Sequence, residues 1–235
     1  MKTLTKEKEN TIDYQPIEFI KTKKKAIEIV GGELRNNKKM PCKTFNLSAW
    51  HCKTGGLLAE TAGTICHDCY ARNGHYLMFR DDHAKGYSER LKNVDSIYWI
   101  DAMIKQIESD KFFRWFGSGD LQSLAMLEKI VIIARALPDT KFWLPTHEPG
   151  IIKSWLSKHK QAFPDNLIIR ISAVYIDKPA DLPKSLQGHK NILTSTVHTI
   201  APIQSECPAH LQNGECRDCR NCWNAEVKNV SYKAH

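Results

Sequence analysis

Beyond residue 80 the chain alternates between apolar runs of two kinds. Short runs rich in aromatic and β-branched residues read as strands: Phe112–Phe116, Lys141–Pro145, Asn166–Val174 and Asn191–Val197. Between and before them, longer segments repeat apolar residues at helical spacing: Asp81–Val94, Asp95–Ser109, Leu121–Leu137 and a segment running through His159. In the second of these Asp95 offers an N-cap, and Ile97, Ile100, Ile104 and Ile107 repeat on one face. Nearer the start, isoleucines flank a glutamate in Ala26-Ile27-Glu28-Ile29-Val30. That alternation predicts a further strand, ended by Gly31-Gly32.

Strands alternating with helices predict right-handed βαβ crossovers and a parallel sheet. Five or six such units are too few to close an eight-fold barrel. The expected class is therefore α/β, either a partial (β/α) barrel or an open parallel sheet, with cysteine-rich metal-binding loops at the front and the C-terminus. Residues 1–25 read as a flexible basic arm, 26–205 as the α/β core with a cysteine-rich loop at 40–75, and 206–235 as a cysteine-rich cluster-binding segment packed on that core.

Parallel sheets gather functional groups at the carboxyl ends of their strands. Here those ends carry Ser118-Gly119-Asp120, Thr146-His147-Glu148, Ser172-Ala173 and Thr196-Val197-His198. Helix capping accounts for any one of these residues. Four sets facing one pocket, with ionisable groups in three, exceed what capping requires. In an enzyme, Asp120 and Glu148 would be the general acid/base or substrate-orienting pair, with Arg170 and His198 as binding partners. Ser118, Gly119 and Ser172 are the candidates for cofactor contact. Two carboxylates on adjacent strand ends raise one another's pKa, whereas a salt bridge to Arg114 or Arg170 would give them a structural role.

Composition narrows the setting. A hydrophobic content of 42% supports a real core, and no apolar run approaches the roughly 18–20 residues needed to cross a bilayer. Met1-Lys2-Thr3-Leu4 opens a polar, lysine-rich stretch rather than a secretory signal, which predicts a cytoplasmic protein with reduced thiols. Lys21-Thr22-Lys23-Lys24-Lys25 and Lys38-Lys39 carry much of the +8 net charge. Such a stripe either tracks the phosphates of a nucleic acid or simply solvates the surface.

The eight cysteines carry the strongest chemistry. Cys207, Cys216, Cys219 and Cys222 include an unbroken C-x-x-C-x-x-C triple, a spacing that suits a [4Fe–4S] cluster, with zinc as the alternative. Cys52, Cys66 and Cys69 form a looser front group that would hold a second metal or share one centre with the rear; Cys42 is available to complete it. A three-cysteine cluster keeps an open iron position for a small molecule. His51, His67 and His75 are further candidate ligands beside the ordinary reading of surface histidines.

Several longer stretches carry a family resemblance. Met40-Pro41, Cys66-His67-Asp68-Cys69-Tyr70-Ala71, Phe113–Gln122, Phe142–Glu148, Asn166–Ser172, Cys216–Trp223 and the closing Tyr232…His235 resemble the bacteriophage gene-product-eighty-eight-like family, over roughly residues 38–235. The resemblance implies a phage or prophage setting, hence the host-cell cytoplasm, and a small molecule or a phage or host macromolecule as partner. The Cys-Tyr-Ala motif and the strand-end Ser-Gly-Asp also resemble radical S-adenosylmethionine proteins, which build partial barrels around an open-iron cluster. That likeness implies S-adenosylmethionine as a cofactor. The usual C-x-x-x-C-x-x-C of that superfamily is here replaced by Cys52, thirteen residues, then Cys66-x-x-Cys69. The sequence thus leads to a phage-associated iron–sulfur protein, a redox or radical-type enzyme, set against a nucleic-acid-binding protein whose metal only folds it.

Overall fold

The computed structural model describes residues 14–16, 20–36, 38–73, 80–159 and 161–234, with 80–85 as backbone only. Eight strands form one sheet: β1 (Arg35–Asn36), β2 (Lys43–Phe45), β3 (Phe112–Trp115), β4 (Lys141–Thr146), β5 (Leu167–Ser172), β6 (Ile192–His198), β7 (Ser205–Glu206) and β8 (Asn229–Lys233). Their spatial order is β1-β2-β3-β4-β5-β6-β8-β7. Among the described strand pairs of the sheet, only β1–β2 is antiparallel. Helices α1 (Lys23–Val30), α2 (Thr54–Leu58), α3 (Arg80–Asn93), α4 (Trp99–Ile107), α5 (Leu124–Ala136) and α6 (Pro149–His159) complete the frame.

From β2 to β6 the spatial order follows the chain order. Right-handed crossovers that never reverse direction lay their helices on one face. Side-chain alternation along the strands agrees. Phe113, Trp115, Phe142, Leu144, Ile169 and Ile171 join one core with Trp99, Met103, Ile130, Val131, Ile152 and Trp155 of the helices. The intervening Phe112 and Trp143 turn to the opposite face, where Cys222, Trp223 and Val230 meet them. The C-terminal segment therefore covers the face that the helices leave bare.

That face is concave. Trp143 on β4 and Tyr232 on β8 lie three strand steps apart, about 14 Å on a flat sheet. Their rings stack at 6.5 Å between centroids. The sheet bends toward the C-terminal segment but does not close, and β1 and β7 remain its edges.

Three expectations change. Residues 26–30 are not a strand but the end of α1. Thr22 Oγ1 accepts the Lys25 N–H at 3.2 Å, and Gly31 adopts φ +81° while its N–H and that of Gly32 return to Ile27 and Glu28 carbonyls. The Gly-Gly pair is a helix C-cap rather than a strand breaker. The helix expected from Asp95 begins at Trp99 and leaves Ile97 exposed. Finally, β2 lies within the region read as loop and adds a first parallel strand. Among the described residues no helix is long and apolar enough to cross a membrane.

Candidate functional site

The loop after β3 is welded to the segment after β2. The Ser118 hydroxyl donates to the Leu47 carbonyl at 2.9 Å, and the Leu47 N–H returns to the Ser118 carbonyl at 3.0 Å. Gly119 sits at φ +78°, and a Cβ there would lie 2.6 Å from Leu47 Cβ. Ser118 and Gly119, expected at a cofactor, are thus committed to this crossing.

The crossing holds Asp120 buried at the strand ends. Its carboxylate accepts the Thr146 hydroxyl at 2.6 Å, the His147 N–H at 2.8 Å and the Leu121 N–H at 2.6 Å. Burial pushes its pKa up to about 6, against those hydrogen bonds, and Glu148 adds to the rise. A proton-transfer group of that pKa suits work near neutrality. Glu148 accepts the Thr54 N–H at 3.0 Å, tying β4 to α2. Burial pulls His147 down to about 4, so the imidazole is neutral.

The front thiols adjoin this pair. A Cβ on Gly55 of α2 would stand 3.3 Å from both Cys52 Cβ and Cys66 Sγ, a tight approach that places α2 against the front thiols. Burial raises the pKa of Cys52, Cys66 and Cys69, that of Cys66 to about 12. Asp120 and neighbouring thiols raise Cys52 and Cys66 further, and Arg72 opposes the rise in all three. The Arg72 guanidinium lies 4.2 Å over the Trp50 ring, and its buried Nη1 has no hydrogen-bond partner. Tyr70, within the same loop, donates to the Gly117 carbonyl.

The rear group lies on the concave face. Arg170, fully buried on β5, donates to five carbonyls: Cys222 at 3.1 Å, Thr194 at 3.1 Å, Asn221 at 2.8 Å, Asn224 at 3.1 Å and Val227 at 3.0 Å. Trp223 Nε1 donates to the Phe113 carbonyl at 2.9 Å. These bonds press residues 221–227 onto the sheet. Cys222 Sγ lies 3.2 Å from the Tyr232 hydroxyl, and burial pushes the Cys222 thiol up to about 12. Burial also raises Cys207 and Cys216. Beside them Arg114 lies 4.4 Å over Trp143, with a buried, unpartnered Nε.

Thiols that bear on one another electrostatically fall into two sets. Cys52, Cys66 and Cys69 form one; Cys207, Cys216, Cys219 and Cys222 form the other, joined by Cys42. Cys42 therefore belongs with the rear and does not complete the front. All eight cysteines are free. Among the described residues, no three His, Cys, Asp or Glu side chains form a group able to hold a metal ion as they stand.

The remaining candidates are engaged elsewhere. Arg170 is a framework residue, its donors spent on carbonyls. His198 contacts Ser231 Oγ at 2.8 Å through Nδ1 and Glu206 Oε1 at 3.2 Å through Nε2. The order Ser–His–Glu resembles a hydrolase triad, but Ser231 is fully buried and has no access to substrate. Ser172 Oγ faces Ser195 Oγ at 3.4 Å. Ion pairs of Asp120 or Glu148 with Arg114 or Arg170 are not formed among the described residues. His67 Nδ1 meets the Ala59 carbonyl at 3.1 Å, and His51 Nε2 reaches Ser88 at 3.5 Å. His75 and most of the N-terminal arm lie outside the described residues; Lys23 and Lys25 of the basic stripe pair with Glu33 and Glu28.

Sequence reasoning passed over Arg72 and named Arg114 only as a salt-bridge partner for Asp120 or Glu148. An arginine amid Phe112-Phe113-Arg114-Trp115 was the available signal, since a cation is rare in so apolar a strand. A family model described as Gene product 88 matches residues 18–225. No curated protein and no solved structure matches the chain.

Proposed function

The chain belongs to the gene product 88 family, and from that premise we propose that it is a phage iron–sulfur protein with two thiolate-bound centres. One observation carries this reading: beside each thiol set stands a guanidinium with a buried N–H that lacks an acceptor, Arg72 in front and Arg114 behind. A buried guanidinium is stabilised by a nearby anion or by aligned acceptors, as Arg170 is by its carbonyls, and Arg72 and Arg114 each keep a donor without one. A thiolate-bound cluster provides both negative charge and sulfur acceptors.

The donor chemistry fits the group. Burial disfavours every front thiolate, which argues against thiol–disulfide exchange at Cys66-x-x-Cys69. A bound metal reverses that preference by displacing the protons. The unbroken Cys216-x-x-Cys219-x-x-Cys222 spacing suits a cubane better than the paired C-x-x-C knuckles of a zinc ribbon.

Cys52, Cys66 and Cys69 would hold the front cluster, and the rear thiols the other. A cluster held by three cysteines supplies electron transfer and an open iron for a small molecule, for which S-adenosylmethionine is the leading candidate. Asp120 holds or moves a proton at its carboxylate, oriented by Thr146 and the His147 amide. Glu148 fixes the start of α2, and Tyr70 ties the cysteine loop to Gly117.

Anaerobic purification with iron and sulfide counted per chain tests the reading. Iron and sulfide for two clusters are expected, with Cys66→Ala/Cys69→Ala reducing the content to one. Stoichiometric zinc without sulfide would overturn it. A front-cluster electron-spin signal unchanged by S-adenosylmethionine would remove that ligand and leave the clusters standing. The nucleic-acid reading draws less support, because two lysines of the basic stripe are already paired.

A further inference from the structure

We propose that Asp120 works through one oxygen: Oδ2 holds and exchanges the proton, while Thr146 is a positioning residue that keeps Oδ1 a fixed acceptor. The inference rests on the acid–base role given to Asp120 above and adds to it the atom that acts and the residue that selects it.

The selection begins at a backbone amide. The Glu148 N–H donates to Thr146 Oγ1 at 3.0 Å. An amide N–H can only donate, so it takes a lone pair of that hydroxyl and leaves the hydroxyl hydrogen to point elsewhere. It points at Asp120 Oδ1, 2.6 Å away. Oδ1 also accepts the Leu121 N–H at 2.6 Å, whereas Oδ2 accepts the His147 N–H alone, at 2.8 Å. Each carboxylate oxygen has two acceptor positions. Both are filled on Oδ1, and one is free on Oδ2.

A proton on Oδ1 would have to displace one of those donors. The Leu121 N–H is fixed by the backbone, so Thr146 would turn to accept, and its own hydrogen would lose its acceptor. Thr146 and Asp120 are both buried, which makes that loss costly. A proton on Oδ2 breaks no bond and uses the free position. A reacting O–H or N–H must therefore come to Oδ2. The charged and titratable neighbours leave this choice untouched. Glu148 raises the carboxyl as a whole, Cys52 and Cys66 sense its charge, burial keeps His147 neutral, and Lys53 Nζ is held by the Gln122 carbonyl at 2.8 Å.

Infrared difference spectra of full-length, metal-free protein carrying isotope-labelled aspartate test the proposal, with Asp120→Asn identifying the Asp120 band. With the proton on Oδ2, the remaining C=O is the one to Oδ1, lowered in frequency by two hydrogen bonds. Thr146→Val should raise that frequency and move the titration midpoint up by about one to two pH units, the worth of one hydrogen bond to a charged group. Thr146→Ser should restore both. A measurement without variants guards against misfolding: on acidification the His147 amide proton resonance should shift more than that of Leu121, because its acceptor takes the proton. A C=O frequency that ignores Thr146→Val, or a Leu121 resonance that moves more than that of His147, overturns the inference. An Asp120 band absent between about pH 4 and 9 overturns it together with the acid–base role. Iron content, which decides the two-cluster reading, enters none of these outcomes.

Discussion

The two thiol sets differ in how far the chain travels to assemble them. The front set comes from Cys52, Cys66 and Cys69, which lie within one loop and stay half-buried. The rear set joins Cys42 to Cys207–Cys222 across most of the chain, and its inner members are buried. A local set can form with few supports and remain open to a ligand. A long-range set pays loop-closure entropy and needs anchors that hold without metal. Arg170 and Trp223 are those anchors, so damage should register as stability behind and as occupancy in front.

The largest expected effect is at Arg170. Arg170→Met leaves five carbonyls without their donor in a buried place. Hydrogen bonds to a charged group are worth about 1.5–3 kcal/mol each and do not add fully. We expect metal-free protein to lose at least about 4 kcal/mol in urea unfolding, the range of broken buried networks. A loss under about 1 kcal/mol would mean that the C-terminal segment is held by something other than this guanidinium.

Next comes a pH effect confined to the front. Asp120 rises from 3.8 to about 6 in the fold, so its contribution to stability is present below about 4 and is lost as pH climbs to 6. His147 falls from 6.5 to about 4, so its contribution is present above 6.5 and is lost as pH drops toward 4. At about 1.4 kcal/mol per pH unit, Asp120 is worth about 3 kcal/mol and the less deeply buried His147 somewhat less. The two slopes oppose each other in one window and largely cancel. His147→Gln should expose the first, losing up to about 3 kcal/mol between pH 4 and 6, while Asp120→Asn should gain stability over the same range. The perturbed rear groups are thiols and Tyr232, all raised from values of 9 or more, and arginines; none titrates in this window. Parallel urea midpoints for the two variants at pH 4, 5 and 6 would refute the opposition.

Gly119→Ala probes the frame under that pair. Its φ of +78° and the 2.6 Å approach to Leu47 leave no room for a methyl group. The expected cost is about 2–3 kcal/mol, from strain together with a fixed clash. Thermal melts of metal-free protein would show it, and an unchanged midpoint would mean that the crossing of residues 47 and 119 is soft.

Much of this frame was legible because sheet and helix periods differ over long runs. Leu124–Ala136 is long enough to declare its period, and Phe112–Trp115 is marked by its aromatic residues instead. Residues 26–30 are not: Ile-Glu-Ile fits either period, and the deciding signal was Gly31 as a left-handed cap. Three residues of β2 carry no period at all. Asp120 and Glu148 could be placed at the ends of β3 and β4 because strand ends are local features. Cys42 and Arg114 were named but given other neighbours, because their partners come from a bend of the sheet that no local pattern encodes.

The smallest effect separates the two sets most cleanly. In Gly55→Ala the new Cβ would meet Cys52 Cβ and Cys66 Sγ at 3.3 Å. Without metal, the Cys66 thiol is the end of a short side chain and can yield, so the cost should stay below about 1 kcal/mol. Once Cys66 is a ligand its sulfur is fixed and the clash cannot relax. The penalty therefore grows on loading, and by linkage the front cluster must bind more weakly. Iron counted against chelator concentration should show the front centre released earlier in Gly55→Ala than in the parent protein, with the rear release unchanged. Equal release curves for parent and variant would show that Cys66 is not held beside α2 in the loaded protein. The front set would then have to be built without it.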